Sequence, residues 1–178
     1  LVMNVVNKTD RQKHMAPDGI LNGQSHISNE FDPSVFFAGN LRATGMFIDR
    51  FGVVKRRFTM SATGITEASG ISLHETFNYD DGDVEDRIWH ISKRSDCRFE
   101  GRTDDLASDC IGTVRGPLFS WSYHFYLKMF GRRVKVHFDD VMVRLTPDTV
   151  LNRARVTKWG FLLGDVHLTF QRLPDSLK

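Results

Sequence analysis

The chain has 178 residues, 40% of them hydrophobic and 26% charged, which suits one ordinary globular domain built around a single core. Its 24 basic and 22 acidic residues give a formal net charge of +2 and are well mixed, so a nucleic-acid-binding surface is not expected. No run of about 18 apolar residues occurs, and a membrane-spanning helix is therefore not expected either.

Composition divides the chain into three parts. Residues 1–34 are rich in Lys, Asn, Asp and Ser and follow neither helical nor strand periodicity, so we predict a poorly ordered N-terminal arm or tether. Residues 35–174 carry a repeated strand and turn pattern, which predicts one β-barrel domain. Residues 175–178 are predicted to be a short C-terminal tail.

The strongest pattern is the strict alternation of apolar and polar residues from Phe119 to Met129. A period of two predicts a strand with one buried face. Similar stretches recur between turn signals such as the acidic turn at 80–83 and the proline-containing turn at 146–148. The predicted strands are 41–49, 53–62, 71–79, 84–92, 98–103, 109–115, 119–129, 134–145, 149–158 and 165–172.

The connections between these strands are of hairpin length, so no crossover helix fits between them and neighbouring strands should pair antiparallel. We predict an all-β, up-and-down, lipocalin-like barrel of about ten strands, because closure leaves no unpaired sheet edge. A Greek-key sandwich is the alternative, but it requires longer connections than the sequence contains.

The alternation assigns one set of side chains to the inside of the barrel, and this set combines aromatic rings with charges. The rings would form an apolar body, and the cations would meet an anionic or polar group at one end of a ligand. Such a wall suits a small lipidic or amphipathic molecule, for example a fatty acid. The candidate ligand-binding residues are Arg56, Glu75, Arg87, Trp89, Trp121, Tyr123, Asp140, Asn152 and Lys158.

Glu75 is expected to form an ion pair with Arg87. With the turn at 80–83 as the hairpin tip, the two residues lie opposite or diagonal to each other in either plausible register. An unpaired ion on the inner wall would cost several kcal/mol, so these charges must pair or face water. Two interpretations stay open: a buried network that fixes the register, or the polar groups of a ligand pocket.

Motifs for catalysis, cofactors and metals are missing from the sequence. No phosphate loop, nucleophile elbow or zinc-protease helix occurs, and no cofactor is predicted. The five histidines within strands take the outer parity, which favours solvated surface side chains. His74 and His90 would oppose each other in one register, a weak signal for a metal site. Cys97 and Cys110 lack zinc-site spacing and are expected to be free thiols, with a bridge between them as the alternative.

The order and spacing of the inner-wall residues also carry a family resemblance, over about residues 36–172. The matching residues are 36–39, 45–52, 56–58, Leu73, Glu75, Phe77, Tyr79, Asp81, Gly82, 87–89, Gly101, Asp105, Trp121, Tyr123, 138–140, 152–154, Lys158, Gly160, Gly164 and Phe170. Together they resemble an uncharacterised bacterial family, domain of unknown function 3833. The resemblance implies a lipocalin-like barrel, often an envelope lipoprotein anchored through a lipidated cysteine near the N-terminus, and it carries over no catalytic residue.

The expected location follows from this resemblance. Cys97 and Cys110 both lie inside the barrel segment, so an anchoring cysteine either precedes Leu1 or does not exist. We expect the cell envelope or periplasm, with peripheral membrane association through such an anchor. The cytoplasm is the alternative.

Three functions remain open from the sequence. The first is a non-enzymatic barrel that binds a small lipidic or amphipathic molecule. The second is an enzyme of the isomerase or cyclase type, with Glu75 as acid or base, although ion pairing to Arg87 would hold Glu75 ionised and oppose this role. The third is a scaffold or envelope interaction module with a solid core, which would use exposed residues such as Arg153, Arg155 and Trp159.

Overall fold

A computed structural model describes residues 30–129 and 131–174. Within those residues, ten antiparallel strands close into a barrel, in which chain neighbours pair and the last strand pairs with the first. The predicted all-β, up-and-down barrel is therefore confirmed, and every predicted strand overlaps an observed one. The elements are α1 (Pro33–Phe36), β1 (Gly39–Asp49), β2 (Val54–Glu67), β3 (Gly70–Tyr79), β4 (Val84–Ser95), β5 (Arg98–Arg102), β6 (Cys110–Arg115), β7 (Leu118–Met129), β8 (Arg132–Thr146), β9 (Thr149–Lys158) and β10 (Phe161–Arg172).

Several strands are longer than predicted, and the two that differ most, β2 and β10, are each four residues longer and pass through a glycine. β2 continues beyond residue 62 because Gly64 stays in the ladder, paired with Gly39 and Leu73. β10 begins before residue 165 and includes Gly164, where a side chain would strike the Phe47 ring. A glycine inside a strand often marks a close approach of another group rather than a turn, which is the case at both positions.

One end of the barrel is closed by three aromatic residues that precede β1, Phe31, Phe36 and Phe37, here called the aromatic plug. All three are buried. The Phe31 ring lies 6.1 Å from the Phe119 ring and the Phe37 ring lies 5.2 Å from the Phe170 ring, both in edge-to-face contact. Burial of each such side chain contributes about 2 kcal/mol, so the plug is a substantial part of the core.

The segment that carries the aromatic plug is also held by polar contacts. Asp32 caps α1, because its Oδ1 accepts a hydrogen bond from Ser34 N at 2.9 Å. Phe31 N donates to Gly116 O at 2.7 Å, and Lys93 Nζ lies 3.2 Å from Asp32 Oδ2. The packed unit thus begins at Phe31, earlier than the predicted domain start at 35. The remainder of the predicted arm, 1–29, and the tail at 175–178 lie outside the described residues.

Glycines on the inner face make room for aromatic rings. Gly45 lies opposite Phe58 in the β1–β2 ladder, and a Cβ at Gly45 would lie 2.5 Å from the Phe58 ring. A Cβ at Gly112 would overlap the Phe119 ring. The wall is therefore packed by pairing its smallest residues with its largest, as a narrow barrel requires.

Two sequence expectations concern cysteines and membrane helices. Cys97 is exposed and Cys110 is buried, and neither is bridged, so the prediction of free thiols is confirmed. No helix in the described part of the chain has the length and apolarity to cross a membrane.

Candidate functional site

The inner face of the barrel changes from buried to partly exposed along the barrel axis. On β2, Met60 and Ala62 are buried near the aromatic plug, whereas Arg56 and Phe58 remain partly exposed near the other end. The inward residues of β1, β3, β4 and β7 likewise become more exposed with increasing distance from the aromatic plug. The barrel is therefore a cup, with a solid base at the plug and an open mouth between the turns at 50–53, 80–83 and 159–160.

The upper half of the cup is lined by apolar side chains that the predicted ligand set did not include. They face inward and lie close together: the Phe58 ring is 5.5 Å from Phe77, and the Tyr123 ring stacks on Phe138 at 5.4 Å. The alternation in the sequence shows only that these residues point inward, and it does not distinguish the lining from the core. Their position along each strand, close to the turns at the mouth, is the signal that could have identified them. The partly exposed lining residues are Phe58, Phe138 and Leu168, and the buried Phe77 and Phe125 pack against Phe58 and Phe138.

A fully hydrogen-bonded carboxylate lies deeper in the barrel. Asp140 Oδ2 accepts from Tyr123 OH at 2.8 Å and from Trp121 Nε1 at 3.1 Å, and its Oδ1 accepts from Asn152 Nδ2 at 3.3 Å. Burial raises the pKa of Asp140 to about 6, although these three donors favour the ionised form. The network joins β7, β8 and β9 and satisfies every member, so it fixes structure rather than offering a free polar group.

Glu75, by contrast, has a carboxyl group without a bonded partner. It is 7% exposed, and among the described residues it makes no hydrogen bond or ion pair. In the same part of the chain, the only fully enclosed side-chain polar atom lacking a partner is His137 Nδ1, so the Glu75 oxygens are not completely enclosed. Burial raises the pKa of Glu75 to about 7, and the charge of Asp140 acts in the same direction.

The predicted ion pair between Glu75 and Arg87 is wrong, although one of the two expected registers is the observed one. The two residues are direct partners in the β3–β4 ladder. The Arg87 guanidinium instead lies over the rings of Phe77 and Phe125, at 5.1 and 4.8 Å, and 3.9 Å from Glu85 Oε2. A guanidinium is weakly hydrated and stacks well on aromatic faces, so it reaches toward the mouth instead of down to the carboxyl group.

Arg56 lies inside the mouth as predicted, but its charge is already neutralised. Its guanidinium contacts Asp81 Oδ2 and Asp83 Oδ2, each at 2.7 Å, and stacks 3.4 Å above the Tyr79 ring. The acidic turn at 80–83 therefore folds back onto Arg56. This leaves Arg87 as a better-placed cation for a ligand, since its own carboxylate contact is long.

The remaining predicted site residues divide between the base and the rim of the cup. The rings of Trp89 and Trp121 stack at 5.0 Å, and Trp89 meets Tyr123 edge-on at 5.4 Å, so all three are packed below the lumen. Lys158 is partly exposed at the rim, with its Nζ 4.5 Å from the centre of the Trp159 ring. Ring packing therefore accounts for the predicted tryptophans, whereas Lys158 stays accessible.

The five histidines within strands lie on the outer face, as their parity indicates. His74 pairs with Ile88 and His90 with Ser72, so the two histidines are not directly opposite. Among the described residues, no group of three His, Cys, Asp or Glu side chains is arranged to hold a metal ion.

Comparison with known proteins identifies the family and the fold. The family model described as "Protein of unknown function (DUF3833)" matches residues 20–172. The S-type phycobiliprotein lyase CPES from Guillardia theta is similar in structure, with a TM-score of 0.65 at 12% identity over 87% of this chain and 100% of that chain. A protein of unknown function from the DUF3598 family of Nostoc punctiforme PCC 73102 gives 0.56 at 10% identity, over 82% of this chain and 51% of that chain. No curated protein matches the chain in sequence.

Proposed function

The chain belongs to the DUF3833 family, and we propose that it binds a small amphipathic molecule in the lumen of its barrel. The observation that carries this proposal is the unpaired carboxyl group of Glu75 beneath a ring-lined, open mouth. An unpaired ionisable group is unfavourable in a barrel interior, and a ligand that bonds to it removes part of that penalty. A solid structural core would have no need of an accessible polar group at this depth.

The lining of the lumen indicates the chemistry of this ligand. Phe58, Phe138 and Leu168 offer an apolar surface near the mouth. Arg87 offers hydrogen-bond donors to a carboxylate or another anionic group, and its side chain is 23% exposed. Glu75, with its pKa near neutrality, donates or accepts a hydrogen bond according to the ligand. A fatty-acid-like molecule with its head group directed inward would place its acyl chain against the apolar surface and its carboxyl group near Arg87 and Glu75.

Native mass spectrometry of the purified chain, followed by titration with a fluorescent fatty acid, tests the proposal. The expected result is a co-purifying lipid or saturable one-to-one uptake of the probe. Arg87→Met keeps the apolar stem but removes the charge, and should weaken uptake about tenfold or more, because a charge-assisted hydrogen bond is lost. Arg153→Met, on the outer face, is the matched control and should bind as the wild type. Absence of any uptake would contradict the proposal.

A second candidate is catalysis of the isomerase or cyclase type on a lipid held in the lumen. Glu75 favours it, since an unpaired carboxyl group with a pKa of about 7 is suited to proton transfer at neutral pH. Lipid extracts incubated with the wild type and with Glu75→Gln would separate the two functions by mass spectrometry. Conversion by the wild type alone supports catalysis, whereas equal binding without conversion leaves binding as the function.

We place the protein at the bacterial cell envelope as part of the same proposal. The support is the family resemblance carried by the inner-wall residues. Fractionation of cells that express the natural gene tests it, and recovery of the protein with the soluble cytoplasm would contradict it.

A further inference from the structure

Three large aromatic side chains lie exposed to solvent beside the mouth of the cup: Phe51, Trp159 and Phe161, here called the aromatic rim. Their exposed fractions are 74%, 87% and 69%. Single exposed apolar residues are common, but a contiguous group of large ones marks an interaction surface. The aromatic rim is also far from the aromatic plug, so it does not serve to close the core.

The three residues belong to neighbouring hairpin tips. Phe51 lies in the turn between β1 and β2, whereas Trp159 lies in the turn between β9 and β10 and Phe161 is the first residue of β10. β1 pairs with β10 up to Asp49 and Gly164, and beyond this pair Arg50 N donates to Leu163 O at 3.0 Å. The two tips are thus held side by side by the backbone, and the aromatic rim is a fixed surface.

Trp159 is displayed at a backbone position that disfavours it. Lys158 pairs with Phe161, so Trp159 and Gly160 form a two-residue turn with φ angles of 53° and 81°. Such a turn favours Asn or Asp followed by Gly, and a bulky side chain in the left-handed region is strained. Core packing does not compensate for this backbone strain, because the indole is exposed to solvent.

Cations accompany the aromatic rim. The Arg50 guanidinium lies 4.7 Å from the centre of the Phe51 ring, and Lys158 Nζ lies 4.5 Å from that of Trp159. Adjacent aromatic and basic side chains suit the boundary between lipid head groups and acyl chains, where rings enter the boundary and cations meet anionic head groups.

Charge is distributed unevenly around the mouth. The next tip beside β9, between β7 and β8, carries Lys128 and Arg132, together with Arg133, which is paired with Asp105 at 3.0 Å. The acidic turn at 80–83 lies on the other side, where Arg56 neutralises two of its carboxylates. The aromatic rim therefore lies between the basic β7–β8 tip and the acidic turn, and its own flanking cations, Arg50 and Lys158, give it the sign that an anionic surface requires.

We propose that the aromatic rim docks the open mouth of the barrel onto an anionic lipid bilayer. The rings enter the head-group region, and Arg50, Lys158 and the β7–β8 tip contact anionic head groups. The docked mouth faces the membrane, which would give an amphipathic ligand a path between bilayer and lumen. This inference rests on residues of the rim and goes beyond ligand binding, which rests on residues of the lumen.

Flotation of the full chain with vesicles tests this proposal. The wild type should float with phosphatidylcholine vesicles that contain phosphatidylglycerol, and less with phosphatidylcholine alone or at high salt. Trp159→Asn should bind these anionic vesicles about tenfold more weakly, since one large apolar side chain is lost. Because Asn favours this turn position, the same variant should melt at the same or a higher temperature, which separates docking from folding.

Ile65→Ser is the matched control, because Ile65 is also exposed but lies near the closed end. It should float as the wild type. Vesicles should also shift the fluorescence emission of wild-type Trp159 to shorter wavelength. Trp159→Asn retains only the buried Trp89 and Trp121, and its emission should not shift. No flotation of the wild type, equal flotation of Trp159→Asn, or equal binding to uncharged vesicles would overturn the proposal. A rim-dependent complex with a protein, without vesicle binding, would overturn it in favour of a protein partner.

Discussion

Glu75 and Arg87 are direct partners in the β3–β4 ladder, yet their charged groups do not pair: the Arg87 guanidinium lies against Phe125 on β7. Arg87 reaches β7 because β5 and β6 are short. β5 pairs with β4 only from His90 onward, so nothing of the β5 ladder stands between Arg87 and Phe125. The consequence is a carboxyl group and a guanidinium that both face the lumen and are both available to a third molecule.

Glu75→Gln should change how stability depends on pH. The pKa of Glu75 is raised from an ordinary value of 4.5 to about 7, so between these values the folded protein binds more protons than the unfolded chain. The free energy of unfolding should therefore fall as pH rises from about 4.5 to about 7. Glu75→Gln should remove this part of the slope and stabilise the protein at pH 8 by on the order of 2 kcal/mol.

Thermal or urea unfolding between pH 4 and 8 provides the measurement. Asp140, with a pKa of about 6, keeps a residual slope in the lower part of the range in both proteins. Glu30→Gln is the control, because Glu30 is an exposed carboxylate outside the barrel strands. An unchanged slope in Glu75→Gln would mean that this carboxyl group is solvated and ionised.

Asp140→Ala should be strongly destabilising. It leaves Trp121 Nε1, Tyr123 OH and Asn152 Nδ2 without their acceptor in the interior, and we expect a loss of about 3 kcal/mol or more. Asp139→Ala changes the neighbouring residue, whose side chain is 53% exposed, and should cost less than about 1 kcal/mol. Chemical denaturation measures both, and similar losses would refute the buried network.

Gly112→Ala should destabilise the base of the cup, because its Cβ would overlap the Phe119 ring. The expected loss is about 2 kcal/mol, typical of overpacking in a well-packed core. Phe119→Leu made in the same chain should restore part of that loss by removing the colliding atoms. Additive losses in a double-mutant cycle would show that the ring and the glycine do not share this space.

The fold could be predicted almost completely from the sequence, because a period of two and hairpin-length connections leave few alternatives. The strand ends at Gly64 and Gly164 could not, since a glycine that receives a neighbouring ring or carbonyl resembles one that makes a turn. The aromatic plug was missed for a related reason. Phe31 and its neighbours are too few to show periodicity, and only the closed barrel end creates a cavity for them.

The sequence predicted which side chains of the site face the inside of the barrel, but not which groups they contact. Parity placed Glu75 and Arg87 on the same wall, and the register confirms that they are opposite. The direction of a long arginine side chain depends on rings from β7, far away in sequence, so Phe125 could not be foreseen as its neighbour. Likewise, Arg56 is held by the acidic turn at 80–83, which the sequence indicated only as a hairpin tip.

Blocking the lumen tests the central claim most directly. Val166 faces the lumen beside Phe47, whereas the next residue, His167, faces outward, so Val166→Trp and His167→Trp form a matched pair. With melting temperatures first shown to be similar, titration with a dansyl-labelled fatty acid should give saturable one-to-one binding to the wild type and to His167→Trp, and binding at least about tenfold weaker to Val166→Trp. Absence of saturable binding to the wild type, or equal binding to Val166→Trp, would contradict a ligand-binding lumen.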